Sequence, residues 1–373
     1  MRLALALWLL LVAPAAWAVE QFETLAPAAI LVDWPSGQVL FEKNADEPRP
    51  PASMSKLMTA FMVFERLQSG AMTLDDTMLV SETAWRKGGS KMWVEVGDRV
   101  PIEDLLRGII IQSGNDACIV VAEGIAGTEA AFAEQMTRRA SDIGLTNSVF
   151  KNASGWPDPE HVMSVRDLAT LALRLISEFP EYYHYYSQRS FTYAGIEQSS
   201  RNPLLQGNVE GVDGLKTGHT REAGYGLVAS AERDGRRLVL VVAGLETPGQ
   251  RRREAERLLE YGFSAYRGYQ LFAPDEPVAD AAVWFGERAT VPLVTEAGLL
   301  VTMSPTARDE LEVTLAYDSP LSAPLTAGSP AGELVLRGPE IGERRIPLLV
   351  GEDVAEANLV GRMWTALRHL MGS

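Results

Sequence analysis

Three short motifs in a fixed order constrain this chain more than any other feature. Ser53-Met-Ser-Lys56 opens a stretch in which apolar residues recur at helical spacing, Ser113-Gly114-Asn115 follows it, and Lys216-Thr217-Gly218 comes last. A serine and a lysine one helical turn apart lie on the same face, within hydrogen-bond reach of each other. The ordered set therefore predicts acyl transfer by a serine nucleophile, with a lysine as its base.

Two of these patterns also occur a second time. Ser148 precedes Lys151 at the S-x-x-K spacing, and Ser200 precedes Asn202 at the S-x-N spacing. Ser148 comes after the S-x-N element and runs directly into a turn-forming stretch, whereas Ser53 follows two prolines at the start of a periodic segment. K-T-G occurs once. Order and local context therefore select the first set.

The length, the net charge and the first 18 residues limit which classes of protein this chain can belong to. The chain has 373 residues, 46% of them hydrophobic and 22% charged, which indicates a globular protein of more than one domain. A net charge of −15 argues against nucleic acid as a partner. Residues 1–18 read as a secretory signal, with Arg2, an apolar stretch at 3–13 and the small-x-small site Ala16-Trp17-Ala18. The apolar run is about half the roughly 20 residues that span a bilayer, so we expect an exported protein and a cleaved signal rather than an anchor.

Cys118 is the only cysteine, so no internal disulfide is possible. It stands beside the S-G-N element in the apolar run Ala117–Val121. We expect it to be a small buried apolar residue rather than a nucleophile.

Residues 19–266 predict an α+β catalytic domain. Two β-like runs, 28–33 and 38–44, flank a turn, and three strands follow at 214–218, 224–233 and 238–245. Helical patterns lie between and after them, at 53–70, 116–126, 128–143, 165–176 and 250–265. We expect the first and last strands to pair in one antiparallel sheet flanked by helices.

Beyond residue 270 the composition changes. Short apolar runs between turn residues predict a small all-β sandwich at 270–350, a spacer or docking module without catalytic clusters. Residues 352–373 predict a terminal amphipathic helix, because seven apolar side chains fall within an arc of ~140° on a helical wheel. They are Leu359, Val360, Met363, Trp364, Leu367, Leu370 and Met371. This helix either packs on its own β domain or lies in a membrane surface.

The chemistry assigns a role to each motif residue. A lysine base must be neutral, so the pKa of Lys56 must fall by roughly 2–3 units, through burial and repulsion from Lys216. We expect Ser113 to relay the proton to the leaving amine, Asn115 to hold the substrate's backbone amide and Thr217 to receive a carboxylate. Each of these residues, taken alone, also has an ordinary structural interpretation: serines often cap helices, and Lys216 could be a solvated strand residue.

The chain resembles the low-molecular-mass penicillin-binding proteins, specifically the serine-type D-alanyl-D-alanine carboxypeptidases. S-x-x-K, S-D-N and K-T-G are the motifs of that group, and this chain carries S-G-N in the middle position. The resemblance extends through the segments 51–59, 107–118 and 212–220, and to the layout of signal, catalytic domain, β domain and terminal helix.

This resemblance implies a fold like that of the serine β-lactamases and DD-peptidases. It implies that Ser53 is acylated, that Lys56 is the base and that Ser113, Asn115 and Lys216 complete the centre. Arg201 with Thr217 would bind the terminal D-alanine carboxylate, next to Gly218 and His219 of the same strand. The backbone N–H groups of Ser53 and His219 would form the oxyanion hole. These are the expected site residues: Ser53, Lys56, Ser113, Asn115, Arg201, Lys216, Thr217, Gly218 and His219.

The implied partners are peptidoglycan pentapeptide stems, β-lactams and a membrane surface, the last through the terminal helix, with no cofactor and no nucleic acid. The implied location is the periplasmic face of the cytoplasmic membrane. Metal catalysis is set aside, because no two of His161, His184, His219 and His369 have helical ligand spacing.

Rival functions are a DD-endopeptidase, a β-lactamase and a catalytically idle penicillin-binding wall scaffold. Glu160 lies where class A β-lactamases place a deacylating glutamate, but the residues after it do not continue that pattern, so we expect a solvated loop residue. The presence of every catalytic residue type opposes the idle scaffold.

Overall fold

The computed structural model describes residues 22–358. The predicted signal at 1–18 and the seven apolar residues of the predicted terminal helix lie outside the described residues. Within residues 22–358, no helix is both long and apolar enough to cross a membrane.

The first domain alternates strands and helices along the chain. Its strands are β1 (Ala28–Asp33), β2 (Val39–Lys43), β3 (Thr77–Leu79), β4 (Arg99–Pro101), β5 (Ser190–Tyr193), β6 (Ile196–Ser199), β7 (Val212–Thr220), β8 (Gly224–Arg233) and β9 (Arg236–Leu245). Its α-helices are α1 (Lys56–Gln68), α2 (Glu82–Arg86), α3 (Ile102–Ile110), α4 (Asn115–Ala126), α5 (Glu129–Asp142), α6 (Val165–Glu178), α7 (Pro180–Tyr183), α8 (Pro203–Gln206) and α9 (Pro248–Ala265). Two 3₁₀ turns lie at Ala52–Ser55 and His184–Ser187.

Five strands form one antiparallel sheet in the order β2-β1-β9-β8-β7. The first strand of the domain pairs with the last, Ile30 standing opposite Val241. The prediction of one antiparallel sheet flanked by helices is confirmed. β7, which carries the K-T-G motif, is an edge strand of this sheet.

The sheet is covered on both faces, which explains why its central strands are continuous apolar runs. Ile30 and Val241 pack into the larger core around α1 and α6, whereas Leu31 and Leu240 pack against Leu258 of α9. Side chains along a strand alternate between faces, so one strand serves both cores. The domain therefore has three layers, helices–sheet–helices.

The helix predicted to begin at Ser53 begins later, at Lys56. Ser53 lies in the 3₁₀ turn that precedes α1. A 3₁₀ turn has three residues per turn, so residues i and i+3 are stacked, and Ser53 stands directly against Lys56. Ala52 starts this turn with φ 49°, a conformation that costs free energy in a non-glycine residue.

A second domain follows at Arg267. It contains β10 (Arg267–Phe272), β11 (Pro277–Trp284), β12 (Thr290–Val294), β13 (Leu299–Met303), the short helix α10 (Pro305–Asp309), β14 (Glu312–Ala316), β15 (Leu321–Ser322), β16 (Pro330–Gly338) and β17 (Gly342–Val350). A six-stranded sheet, β14-β16-β17-β12-β11-β15, and the pair β10-β13 enclose a separate apolar core. The prediction of a second all-β domain is confirmed.

The end of the second domain corrects one boundary. Residues 352–358, predicted as the start of the terminal helix, are not helical; Val354 bridges Leu325 and Glu356 bridges Gly286. These backbone pairs hold the segment on the β domain. The predicted helix start at residue 352 is therefore wrong.

Candidate active site

The Ser53 hydroxyl is held against the lysine of its own motif. A hydrogen bond of 2.8 Å joins Nζ of Lys56 to Oγ of Ser53. Ser53 itself is half-buried, whereas Lys56 is only 1% exposed. The Ser53 side chain is thus partly open to solvent, while the Lys56 ammonium group is enclosed.

Lys56 is surrounded by three acceptors. Besides Ser53, its Nζ donates to Oδ1 of Asn115 at 2.8 Å and to the carbonyl oxygen of Ser154 at 2.5 Å. A neutral amine has two N–H groups and one lone pair. If Asn115 and Ser154 take the two N–H groups, the lone pair points at the Ser53 hydroxyl, the arrangement that a general base requires.

The electrostatics favour this neutral form. The pKa of Lys56 is lowered to about 8, mainly by burial; the charges of Arg201 and Lys87 also lower it, and that of Asp116 opposes them. We expected burial and repulsion from Lys216 to depress the pKa of Lys56 together, and burial is the main cause. The repulsion between the two lysines lowers the pKa of Lys216, which burial already holds well below its usual range.

The S-G-N element follows α3. Ser113 is 2% exposed and has φ 61°, a backbone conformation rare outside glycine. The Asn115 side chain contacts Lys56 through its oxygen and donates from Nδ2 to the carbonyl of Gly88 at 2.9 Å. One of its two amide N–H groups remains for a substrate acceptor.

The strand that carries K-T-G packs against the 3₁₀ turn Ala52–Ser55, which contains Ser53 and is called the nucleophile turn below, because Gly218 has no side chain. A Cβ on Gly218 would stand 2.7 Å from the carbonyl oxygen of Pro51 and 3.1 Å from Met54. Lys216 and Thr217 on this strand are buried, at 3% and 6% exposure. The edge strand therefore forms one wall of the site.

The remaining predicted residues lie at the mouth. His219 is exposed, and its ring stacks on Tyr225 at 3.8 Å between centroids. Arg201 is exposed and donates to Oγ of Ser90 at 2.5 Å. Its charge contributes to lowering the pKa of both Lys56 and Lys216.

One functional element was missed from the sequence, the loop 152–156. The Oδ1 of Asn152 accepts from the N–H groups of Ser154 and Trp156, at 3.1 and 2.9 Å, and thereby presents the Ser154 carbonyl to Lys56. A Cβ on Gly155 would stand 1.9 Å from the carbonyl of Ala52, so only glycine lets this loop reach the nucleophile turn. Its one sequence signal is a run of small and turn-forming residues.

The duplicated patterns have structural roles. The Ser148 hydroxyl donates to Asp167 at 2.6 Å, and Lys151 pairs with Glu160 at 3.1 Å. Asn202 accepts from Leu204 N–H at 3.0 Å and caps the short helix α8. Glu160 is exposed, as expected of a loop residue.

Cys118 is fully buried, and burial raises the pKa of its thiol to about 12. The expectation that Cys118 is a small buried residue is confirmed. Among residues 22–358, no cluster of three or more His, Cys, Asp or Glu side chains could hold a metal ion.

Comparison with known proteins covers both domains. Residues 15–247 match the family described as D-alanyl-D-alanine carboxypeptidase, and residues 266–356 match the C-terminal domain of penicillin-binding protein 5. The D-alanyl-D-alanine carboxypeptidase DacC of Escherichia coli (strain K12) is 39% identical over 96% of this chain and 92% of its own length. DacF of Bacillus subtilis (strain 168) is 33% identical over 93% of this chain and 89% of its own.

Comparison with solved structures also finds penicillin-binding proteins. Penicillin-binding protein 5 from Haemophilus influenzae superposes with a TM-score of 0.83 at 33% identity, covering 91% of this chain and all 100% of that one. Penicillin-binding protein D2 from Listeria monocytogenes, in its ampicillin-bound form, superposes with a TM-score of 0.60 at 33% identity, covering 65% of this chain and 99% of that one.

Proposed function

This chain belongs to the D-alanyl-D-alanine carboxypeptidase family and is a serine-type carboxypeptidase, and we propose that Ser53 is its nucleophile and Lys56 its general base. The observation that carries the assignment is the 2.8 Å hydrogen bond between Ser53 and a buried lysine whose pKa is lowered to about 8. The substrate class is the peptidoglycan stem pentapeptide ending in D-Ala-D-Ala.

The reaction runs through an acyl-enzyme. Lys56 takes the proton of the Ser53 hydroxyl as Oγ attacks the carbonyl of the penultimate D-alanine. The peptide C–N bond then breaks, and the leaving amine of the terminal D-alanine receives that proton through Ser113. Water attacks the ester, its proton returns to Oγ, and the shortened peptide leaves as a carboxylate.

The substrate is bound by the edge strand β7 and by the guanidinium group of Arg201. The terminal carboxylate binds Arg201 and the Thr217 hydroxyl, a charge-assisted contact. The free edge of β7 pairs with the extended substrate backbone, and the N–H groups of Ser53 and His219 bind the oxyanion, a donor of this kind supplying about 3–4 kcal/mol. By the same chemistry β-lactams acylate Ser53; ampicillin is bound in the structure of the Listeria relative.

The test is covalent labelling by a fluorescent penicillin together with D-alanine release from a pentapeptide. Ser53→Ala should lose both, because the acyl bond forms at its Oγ. Ser148→Ala, which alters the second S-x-x-K pattern, should keep both. Labelling that survives in Ser53→Ala and vanishes in Ser148→Ala would place the nucleophile at Ser148.

Export and membrane attachment belong to this proposal. The signal-like residues 1–18 support export, and the apolar arc of 359–371 with Arg362 and Arg368 off it supports a helix lying on the periplasmic face of the cytoplasmic membrane. Seven buried apolar side chains favour such binding by several kcal/mol, at about 25 cal/mol per Å².

Membrane association can be tested by ending the chain after Asn358, which keeps the Val354 and Glu356 pairs of the β domain. This variant should leave membrane fractions and keep its turnover of soluble substrate. Trp364→Asp with Leu367→Asp should do the same, whereas Thr365→Asp, off the apolar arc, should have a smaller effect. Sedimentation of the shortened protein with membranes would place the anchor elsewhere.

A further inference from the structure

The loop 88–94, between α2 and β4, contains none of the predicted site residues and yet contacts two of them. The carbonyl oxygens of Gly88 and Ser90 accept from Asn115, the first from Nδ2 at 2.9 Å and the second from the backbone N–H at 2.7 Å. The hydroxyl of Ser90 accepts from Nη1 of Arg201 at 2.5 Å. The loop therefore joins the residue expected to hold the substrate's backbone amide to the residue proposed for its terminal carboxylate.

A buried carboxylate holds this loop in place. Asp116, 1% exposed, accepts from the N–H of Met92 at 2.8 Å through Oδ1 and from the N–H of Trp93 at 2.9 Å through Oδ2. A buried charge needs hydrogen-bond donors, and here the loop backbone supplies them. Trp93 has φ 72°, a conformation that is unfavourable for a bulky residue and persists only where the surroundings impose it. Asp116 thus fixes the path of the loop.

The loop is also packed closely against the S-G-N element. Gly89 has φ 78°, and a Cβ there would stand 2.7 Å from Nδ2 of Asn115. A Cβ on Gly114 would stand 3.0 Å from the backbone nitrogen of Met92. Ser90 therefore lies at a fixed position relative to Asn115.

Arg201 depends on this loop for its position. Among residues 22–358, no carboxylate forms an ion pair with its guanidinium, and Ser90 is the only side chain that accepts a hydrogen bond from it. The strand before it, β6, is tied to the same loop, because Nε2 of Gln198 donates to the carbonyl of Lys91 at 3.0 Å. A serine hydroxyl carries no charge, so it orients the guanidinium and leaves the positive charge available to a ligand carboxylate.

We propose that Ser90 determines the preference for a free terminal carboxylate by positioning Arg201, and that Asp116 is a positioning residue that acts through Ser90. The proposal rests on the proposed function, in which Arg201 binds that carboxylate. A long arginine side chain at an exposed position loses conformational freedom when it binds a ligand. Because Ser90 already restricts the guanidinium, less of that freedom remains to be lost on binding.

The experiment compares two pentapeptides that end in D-Ala-D-Ala and differ only in having a free or an amidated terminal carboxyl group. We measure kcat and KM of the full-length enzyme for each, and express selectivity as the ratio of the two kcat/KM values. Ser90→Ala should lower this ratio about tenfold, because a hydrogen bond to a charged group is lost, and the loss should appear as a higher KM for the peptide with the free carboxylate. An unchanged ratio, or an equal loss on both peptides, overturns the proposal.

Two further substitutions at the same position separate positioning from packing. Ser90→Thr keeps the hydroxyl and should keep most of the selectivity. Ser90→Asp supplies an acceptor that also neutralises Arg201, so it should lower the ratio further than Ser90→Ala does. Selectivity in Ser90→Asp above that of Ser90→Ala would contradict the proposal.

Ser200→Ala is the matched control and should keep the wild-type ratio. Ser200 precedes Arg201 in the chain, and its hydroxyl accepts from the N–H of Asn202 at 3.3 Å instead of contacting the guanidinium. The amount of enzyme labelled by fluorescent penicillin shows that each variant is folded.

Asp116→Asn removes the charge that holds the loop and should lower the ratio by a similar factor. Because Asp116 acts through Ser90, adding Asp116→Asn to Ser90→Ala should lower the ratio no further. Losses that multiply in the double variant would refute the link between Asp116 and Ser90. The Ser90 variants decide the proposal even where Asp116→Asn fails to fold.

Arg201→Ala distinguishes this proposal from the function on which it rests. If Arg201→Ala keeps the wild-type ratio, the assignment of the carboxylate to Arg201 fails. If Arg201→Ala abolishes the selectivity and Ser90→Ala keeps it, that assignment stands and the role of Ser90 fails.

Discussion

At the scale of single residues, the surroundings of Lys56 decide whether it can act as a base. Burial disfavours its charged form, the charges of Arg201 and Lys87 act in the same direction, and the charge of Asp116 opposes them. The resulting pKa of about 8 leaves an appreciable neutral fraction near neutral pH. In the proposed mechanism, the enzyme thus obtains a base from a residue that is ordinarily protonated at that pH.

The rate of acylation should follow this titration. Because only neutral Lys56 accepts the serine proton, labelling by fluorescent penicillin should rise with pH through about 8 and level off above it. Asn115→Asp places a carboxylate beside Nζ, favours the ammonium and should move the rise to higher pH. Asn44→Asp, at the end of β2 on the opposite edge of the sheet, is the control. A rate independent of pH from 6 to 10 would argue against a lysine base.

At the scale of elements, three backbone segments pack together to form the site: the 3₁₀ turn before α1, the edge strand β7 and the loop 152–156. The strand and the loop can each lie close to the 3₁₀ turn only because the residue at the contact, Gly218 in the strand and Gly155 in the loop, has no side chain. The loop also depends on Asn152, whose carboxamide holds both Ser154 and Trp156.

Asn152 should therefore act as a positioning residue. Asn152→Ala releases the Ser154 carbonyl from Lys56, so the plateau of acylation should fall about tenfold, which is 1.4 kcal/mol in the barrier. The loss of an acceptor from the ammonium should also shift the pH profile to lower pH. Asn152→Asp keeps the oxygen that accepts from the Ser154 and Trp156 N–H groups but loses the Nδ2–H that donates to the Trp156 carbonyl, so it should restore only part of the rate. An unshifted profile in Asn152→Ala would reduce this residue to a purely structural role.

The sequence allowed the motif side chains, the central sheet and the main helices to be predicted, because side-chain identity and apolar period carry that information. It did not reveal the Ser154 contact, since the acceptor is a backbone carbonyl and every residue has one. The later start of α1 was missed for a different reason. Over a single turn, a 3₁₀ helix and an α-helix have nearly the same spacing of apolar residues, so the sequence does not distinguish them. Helix α3 was also overlooked, although Leu105, Leu106 and Ile109 recur at helical spacing.

At the scale of the whole molecule, the two domains have separate cores. The apolar cluster of the second domain shares no residue with either cluster of the first. The side-chain contacts between them include Gln38, which donates to the Glu340 carbonyl at 3.2 Å and accepts from Arg344 at 3.3 Å. Contacts of this kind at half-buried positions contribute little to cooperativity between domains.

The domains should accordingly unfold in separate transitions. Leu336→Ala, in the core of the second domain, should destabilise that domain by about 2–5 kcal/mol and leave penicillin labelling unchanged. Leu258→Ala, in the core beneath α9, should shift the transition that abolishes labelling. Calorimetry with labelling at each temperature separates the two. A single transition shifted equally by both variants would show that the domains unfold together.

The burial of Cys118 has a practical consequence. The chain has one thiol, and it is buried in the core with its pKa raised to about 12. Alkylating reagents should therefore not react with it in the folded protein. A cysteine introduced on an exposed loop would then be the single reactive thiol of the molecule. Placed at Glu160, an exposed loop position, it would carry a single fluorophore without any need to remove the native Cys118.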